Sequence, residues 1–160
     1  MIGILSDTHD NLDAVRRAVR LFQDAGCDLI IHAGDFVAPF AARELGQAGI
    51  PLRAVYGNCD GEKLGLADAI RPFGAIQEPP LVLRIGNISI LVVHKDEDAR
   101  GRAARGGPDV VIFGHTHKSE VRREGRMLFV NPGEAGGWVT GLRTVALFDP
   151  AALSAEILPL

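Results

Sequence analysis

The stretch MIGILSDTHDNLDAVRRAVRLFQDAGCDLIIHAGD, residues 1–35, reads as strand, helix, strand, and both strands run out toward an Asp. Met1–Leu5 is an apolar run that leads to Asp7-Thr8-His9, and Leu29–Ile31 leads to Gly34-Asp35. Between them, Asn11–Ala25 sets Leu12, Val15, Ala18, Val19 and Phe22 on one face at close to a 3.6-residue period. Asp13 with Arg17, and Arg20 with Asp24, are spaced to pair across one turn of the other face. Asp10 or Asn11 can cap the start and Gly26 can end it. Two strands joined by one helix run parallel, and that orientation fixes which ends of the strands meet.

The same punctuation recurs further along. Leu52–Tyr56 leads to Gly57-Asn58, Ile88–Val93 leads straight to His94, and Val110–Phe113 leads to Gly114-His115-Thr116-His117. Parallel strands deliver their carboxyl ends to one edge, where open α/β sheets form their sites. Asp7, Asp35, Asn58, His9, His94, His115 and His117 would then gather in one crevice. Two buried carboxylates beside four imidazoles are costly without a cation between them. The donors are numerous enough for two ions, and an imidazole–carboxylate mixture suits Mn, Fe, Zn, Ni or Co better than Ca. In an extended segment i and i+2 point the same way, so Asp7 with His9, and His115 with His117, would each offer a pair of donors to one side. Asp35 and Asn58 follow Gly, which permits a tight turn and a close backbone approach to an ion or phosphate. His32 lies within its apolar run and reads as a packed histidine that supports a ligand rather than binding. Two ions about 3.5–4 Å apart would clamp a phosphate and bring a bridging water toward a pKa of about 7, and the hydroxide would attack phosphorus.

The rest of the chain supplies a mixed architecture. Phe36–Ala48 is a second helix candidate with Pro39 near its start, and Glu62–Arg71 is a third, closed by Pro72 and Gly74. Leu81–Ile85 with Ile88–Val93 across Gly86-Asn87, and Glu120–Glu124 with Met127–Val130 across Gly125-Arg126, read as hairpins. Asp96–Arg105 reads as a short exposed helix, Asn131–Gly141 as a Gly-rich loop near the site, and Thr144–Phe148 and Leu153–Leu158 as closing strands. Strand–helix alternation followed by hairpins predicts α/β layers, either an α-β-β-α sandwich or a single mixed sheet.

At 160 residues the chain is expected to form one domain, residues 1–160. A net charge of −3, with 14 Arg against 3 Lys, argues against a protein that coats nucleic acid through bulk electrostatics. Cys27 and Cys59 match no zinc or redox spacing, and Cys27 reads as a small buried hydrophobe. No apolar stretch approaches the roughly 20 residues of a membrane span, and the first apolar run is too short for a signal peptide, so no membrane partner and a cytoplasmic location are expected.

Ser6-Asp7-Thr8-His9, Gly34-Asp35, Gly57-Asn58-Cys59-Asp60, His94 and Gly114-His115-Thr116-His117 together resemble the calcineurin-like metallophosphoesterases. The small single-domain phosphodiesterase branch is the nearest likeness, and Asn131-Pro132-Gly133 looks like its closing loop. The resemblance implies a four-layer α-β-β-α sandwich with two mixed sheets and helices outside. It also implies one metal on Asp7, His9, Asp35 and His117 and another on Asp35, Asn58, His94 and His115, with manganese, nickel, iron or zinc as occupants. The expected partner is a small phosphoester, with Asn58 and His94 also acting on the phosphoryl group and a homo-oligomer left open.

Three positions depart from the pattern. Cys59 stands where many members carry His, and a neutral thiol with a reference pKa of about 8.5 is a poor acid at pH 7. It reads as a filler beside the ligand. Lys95-Asp96-Glu97-Asp98 follows His94 in place of Gly, and Glu134 follows Pro132-Gly133 where Ser is common. These acids are expected to face solvent, as are Lys95, Lys118 and the set Arg100, Arg102 and Arg105. If either acidic site faced the phosphate, a dianionic monoester would suffer more than a diester. The competing class is a non-catalytic metal-binding scaffold, since a eukaryotic trafficking subunit shares the fold and lacks key ligands.

Overall fold

The computed structural model describes residues 1–99 and 107–160. Eleven strands among these residues form two mixed sheets. β1 (Ile2–Leu5), β2 (Leu29–His32), β3 (Leu52–Val55), β4 (Gly74–Gln77), β10 (Thr144–Asp149) and β11 (Ser154–Pro159) make the first, in the order β11-β10-β1-β2-β3-β4. β5 (Leu81–Ile85), β6 (Ile88–Val92), β7 (Val110–Ile112), β8 (Glu120–Glu124) and β9 (Met127–Asn131) make the second, in the order β5-β6-β7-β9-β8. β1 through β4 pair in parallel, and so do β6, β7 and β9. Each sheet therefore has a parallel set whose carboxyl ends share an edge, with antiparallel strands on one side in the first sheet and on both sides in the second.

Strand parity decides which side chains meet across the sheets. Ile2, Ile4, Ile31 and Val55 of the first sheet pack with Ile90, Val92, Val110, Ile112, Leu128 and Val130 of the second. The opposite face of the first sheet, through Leu5, Ile30, Leu52 and Ala54, takes the helices. There α1 (Leu12–Asp24) buries Val15, Ala18, Val19 and Phe22, worth about 1.5–3 kcal/mol for each large side chain. Asn11 is its N-cap, accepting from Ala14 N–H at 3.2 Å, whereas Asp10 accepts from Ala38 N–H at 2.9 Å and fixes a different loop. α2 (Pro39–Glu44) and α3 (Lys63–Ile70) complete this layer.

The layered architecture and both hairpins follow the sequence reading. Several boundaries do not. Phe36, Val37 and Ala38 stay non-helical: α2 starts at Pro39, whose ring fixes φ for a first turn, and it tightens into a 3-10 turn over Leu45–Ala48. β4 was unexpected; it is too short to show periodicity and exists because it adds in parallel to β3. Asp96–Ala99 is a 3-10 turn rather than the start of an exposed α-helix, and it buries Ala99 against Leu91, Val93 and Phe113. The remainder of that helix candidate, with Arg100, Arg102 and Arg105, lies outside the described residues. Cys27 is buried as read. No helix among the described residues is long and apolar enough to cross a membrane.

Candidate metal centre

The carboxyl ends of β1, β2, β3, β6 and β7 bring the sequence-predicted residues to one edge. Three clusters of donor atoms lie within 4.8 Å among the described residues: Asp7–His9–His117, Asp7–Asp35–His94 and His9–Asp35–Cys59. They share members, so they form one connected centre. Asp35 Oδ2 stands 3.6 Å from His9 Nε2 and 3.5 Å from His94 Nε2, on the seam between the two sheets. Asp7 Oδ1 stands 3.9 Å from His9 Nε2 and 3.6 Å from His117 Nε2. Asn58 Oδ1 lies 3.0 Å from His94 Nε2, and the His115 ring meets the His94 ring edge-on with centroids 5.1 Å apart. Asp7, Asp35 and His94 form a buried floor, His9 and His117 are half-buried, and Asn58 and His115 stand on the exposed rim.

The donors fit divalent cations. Asp7 Oδ1 and His9 Nε2 are buried and have no hydrogen-bond partner. An anionic oxygen left so is costly. Donors that share one ion through bonds near ~2.1 Å stand roughly 3.0–3.5 Å apart, and the Asp35–His94 and Asn58–His94 separations fall in that range. Burial raises the Asp7 carboxyl above its ordinary value despite help from Ser6, His94 and His117. Burial opposes ionisation of Asp35 too, but hydrogen bonds from His94 and the Cys59 N–H hold it well below the usual carboxylate range. His94 is held above the ordinary imidazole value: burial disfavours its charge, but Asp35, the Ala33 carbonyl and Asp7 outweigh that. Its Nδ1 lies 2.8 Å from the Ala33 carbonyl, an acceptor that keeps a proton on Nδ1, and its Nε2 faces Asp35 Oδ2 and Asn58 Oδ1.

The local backbone differs from the extended segments predicted for the donor pairs. Asp7, His9, Asp35, His115 and His117 all adopt left-handed φ, at 53°, 40°, 63°, 66° and 61°. Such backbone costs about 1 kcal/mol or more for a residue with a side chain. The donors converge because each chain turns sharply as it leaves its strand, not because i and i+2 share a face. The glycines have a matching role. A Cβ on Gly57 would sit 2.1 Å from Asp35 Oδ1, and one on Gly114 would sit 1.9 Å from Ser6 Oγ and 2.7 Å from Asp7 Oδ2. They make room for the side chains of Asp35, Ser6 and Asp7.

Supporting groups hold these turns. His32 is fully buried, as read: Nδ1 accepts from Gly34 N–H at 3.1 Å and Nε2 meets Thr8 Oγ1 at 3.2 Å. Burial pushes it well below the ordinary imidazole value, so it stays neutral. Asp60, quoted in the motif but given no role, accepts from the N–H groups of Asp35, Phe36, Val37 and Gly57 at 2.7–3.0 Å. Asn131 donates to the Gly114 carbonyl and Thr116 Oγ1 and accepts from Gly133 N–H, which ties the His115–His117 turn.

Glu134 corrects an expectation. It is 1% exposed, not solvent-facing, and Oε1 lies 3.2 Å from His117 Nδ1, close enough for an ion pair but not aligned as a hydrogen bond. Neither Asp60 nor Glu134 was assigned from sequence, because their partners come from loops remote from any periodic pattern. Glu97, Asp98 and Lys118 are exposed as expected, while Lys95 and Asp96 are half-buried. Cys59 is exposed and lies beside Asn58, as read, with Sγ 3.3 Å from Asn58 Nδ2. Burial, the Asp35 carboxylate and its hydrogen bond push this thiol up to about 11.

Residues 1–152 match the calcineurin-like phosphoesterase superfamily domain. The chain is 34% identical over 152 residues to phosphodiesterase MJ0936 of Methanocaldococcus jannaschii, covering 92% of each chain. It is also similar to the structure of an archaeal phosphodiesterase, with 32% identity, a TM-score of 0.93 and 99% of both chains covered. Vacuolar protein sorting 29 of Cryptosporidium parvum shares the fold, at 16% identity and a TM-score of 0.69 over 99% of this chain and 96% of that one. The chain belongs to the calcineurin-like phosphoesterase superfamily, a family of hydrolases.

Proposed function

We propose that this calcineurin-like phosphoesterase hydrolyses small phosphodiesters at a centre of two divalent transition-metal ions. Asp7, His9, Asp35 and His117 would hold one ion, and Asp35, Asn58, His94 and His115 the other, with Asp35 common to both. Manganese is the favoured occupant, with nickel, iron and zinc as alternatives. The observation that carries the reading is the pair of buried orphan donors, Asp7 Oδ1 and His9 Nε2, 3.9 Å apart within that ring of ligands. When bound, two such ions supply Lewis acidity to phosphoryl oxygens and activate water as a nucleophile.

The chain's own residues set the rest. Asn58 and His115, on the exposed rim, reach the side from which a phosphoester arrives. The His94 imidazole is oriented by the Ala33 carbonyl and so presents Nε2 at a fixed place beside Asp35. The Cys59 thiol, pushed up to about 11, lies well away from the near-neutral pKa that suits a general acid. Esters with good leaving groups are therefore favoured, and nitrophenyl esters should turn over much faster than alkyl esters. Glu134 adds no free charge to the phosphate's space, because backbone N–H groups engage both its oxygens. The diester preference rests instead on the resemblance to named phosphodiesterases.

The test is to purify the chain without added metal, measure bound ions, and compare bis-nitrophenyl phosphate with nitrophenyl phosphate under Mn²⁺. Faster diester cleavage that chelation abolishes is the expected result. A clear monoester preference refutes the diester reading. Full metal loading with no turnover on either ester supports a metal-binding scaffold instead.

A further inference from the structure

Glu134 carries more than a turn requires. Its Oε1 accepts from the N–H groups of Trp138 at 2.7 Å and Val139 at 2.9 Å. Its Oε2 accepts from Val139 N–H at 3.2 Å, and from the N–H and hydroxyl of Thr140 at 3.0 Å and 2.9 Å. A neutral acceptor could organise such a turn, whereas a buried carboxylate can also orient a neighbouring imidazole. His117 is that neighbour, with Nδ1 3.2 Å from Oε1 and no hydrogen bond elsewhere. A proton kept on Nδ1 by that carboxylate leaves Nε2 as a lone-pair donor, aimed at Asp7 Oδ1 and its neighbour His9. Carboxylates placed behind a ligating imidazole in this way fix its tautomer and raise its basicity.

The same loop reaches a second donor. Trp138 Nε1 donates to the His9 carbonyl at 3.0 Å. His9 and His117 stack, with centroids 5.4 Å apart and planes 23° from parallel. Glu134 thus touches one imidazole directly and the other's backbone through the turn it holds.

We propose that Glu134 is a positioning residue: it sets the tautomer of His117 and, through the Trp138–Thr140 turn, the place of His9, so that cation binding at Asp7, His9 and His117 is coupled to the shape of this loop. The inference rests on the reading of this group as a cation site. Trp138 is the only tryptophan in the chain and is 65% exposed, so its emission reports the loop directly.

The full chain, stripped by chelation, is titrated with Mn²⁺ while Trp138 emission and the Mn²⁺ paramagnetic resonance signal are followed. In the natural chain the emission changes with the first equivalent. E134Q weakens binding of that ion about 10- to 100-fold, leaves the second ion within twofold, and uncouples the emission from the titration. W138F, read by resonance alone, weakens the same ion about threefold. A purely structural defect would weaken both ions alike or lower the unfolding temperature of the chelated protein. A folded E134Q that binds both ions within twofold of the natural chain overturns the proposal. If E134Q does not fold, W138F decides, and unchanged affinity overturns it. A natural chain that binds no Mn²⁺ removes the cation-site reading itself, whereas normal binding with an indifferent E134Q removes only the role of Glu134.

Discussion

The two sheets hold their shares of the proposed metal centre by different means. β1, β2 and β3 supply Asp7, His9, Asp35 and Asn58 on loops pinned from within. Asp60 gathers four backbone N–H groups from two of those loops, and the buried His32 bridges Thr8 and Gly34. β6 and β7 supply His94, His115 and His117. Only His94 is buried there, while His115 and His117 stand on a turn braced by Asn131 and approached by Glu134. The first half supplies most of the buried floor, and the second adds His94 to it and a rim whose geometry depends on its supports. A site built this way keeps its carboxylates in place and adjusts its imidazoles.

Asp35 sits on the seam, so its replacement tests the division most severely. Asp35→Asn should lose both ions by elemental analysis and lower turnover about 10³-fold, equivalent to roughly 4 kcal/mol of barrier. Retention of one full equivalent would assign Asp35 to one side only. Next in size is a paired stability measurement on the chelated protein. Asp60→Ala strands four donors and should cost about 3 kcal/mol by urea unfolding, against about 1 kcal/mol for Asn131→Ala. Equal costs would erase the contrast between floor and rim.

A pH series sharpens it further. His94 is raised in the folded chain, so in the chelated protein its contribution to stability is fully present below the unfolded imidazole pKa of about 6.5 and is lost as pH rises through the raised folded value. The lowered His32 acts oppositely, since acid protonates it only in the unfolded chain. His32 touches no ligand atom of the centre and cancels when loaded and chelated samples are compared. A cation must displace any proton on His94. The gain in melting temperature on adding Mn²⁺ should therefore shrink by roughly 5 °C from pH 8 to pH 5; a constant gain would contradict proton competition at the floor. The smallest effect is expected on the rim of the first half. Cys59→Ser should change bis-nitrophenyl phosphate turnover by less than about threefold, whereas loss of a working acid costs about 10²-fold or more.

The seven donors were legible because each lies where an apolar run stops, and parallel strands stop together. The sandwich was legible because strand–helix alternation gives way to two turn-marked hairpins. What escaped the sequence has physical causes. The left-handed turns at Asp7, His9, Asp35, His115 and His117 leave no compositional mark, since these positions lack the glycine that usually announces such backbone. Asp60 answers to N–H groups more than 20 residues away, which no local period encodes. Glu134 looked solvent-facing because acids usually are, and only the folding-back of Trp138–Thr140 onto it encloses its charge. β4 owes its existence to a neighbour rather than to its own four residues.

The left-handed ligands also bear on how such a protein changes over time. At His9, His115 and His117 a glycine would relieve backbone strain while deleting an imidazole. The strain at these three turns therefore belongs to the imidazoles they carry, and the fold bears it at the edge where its two sheets meet rather than in its core.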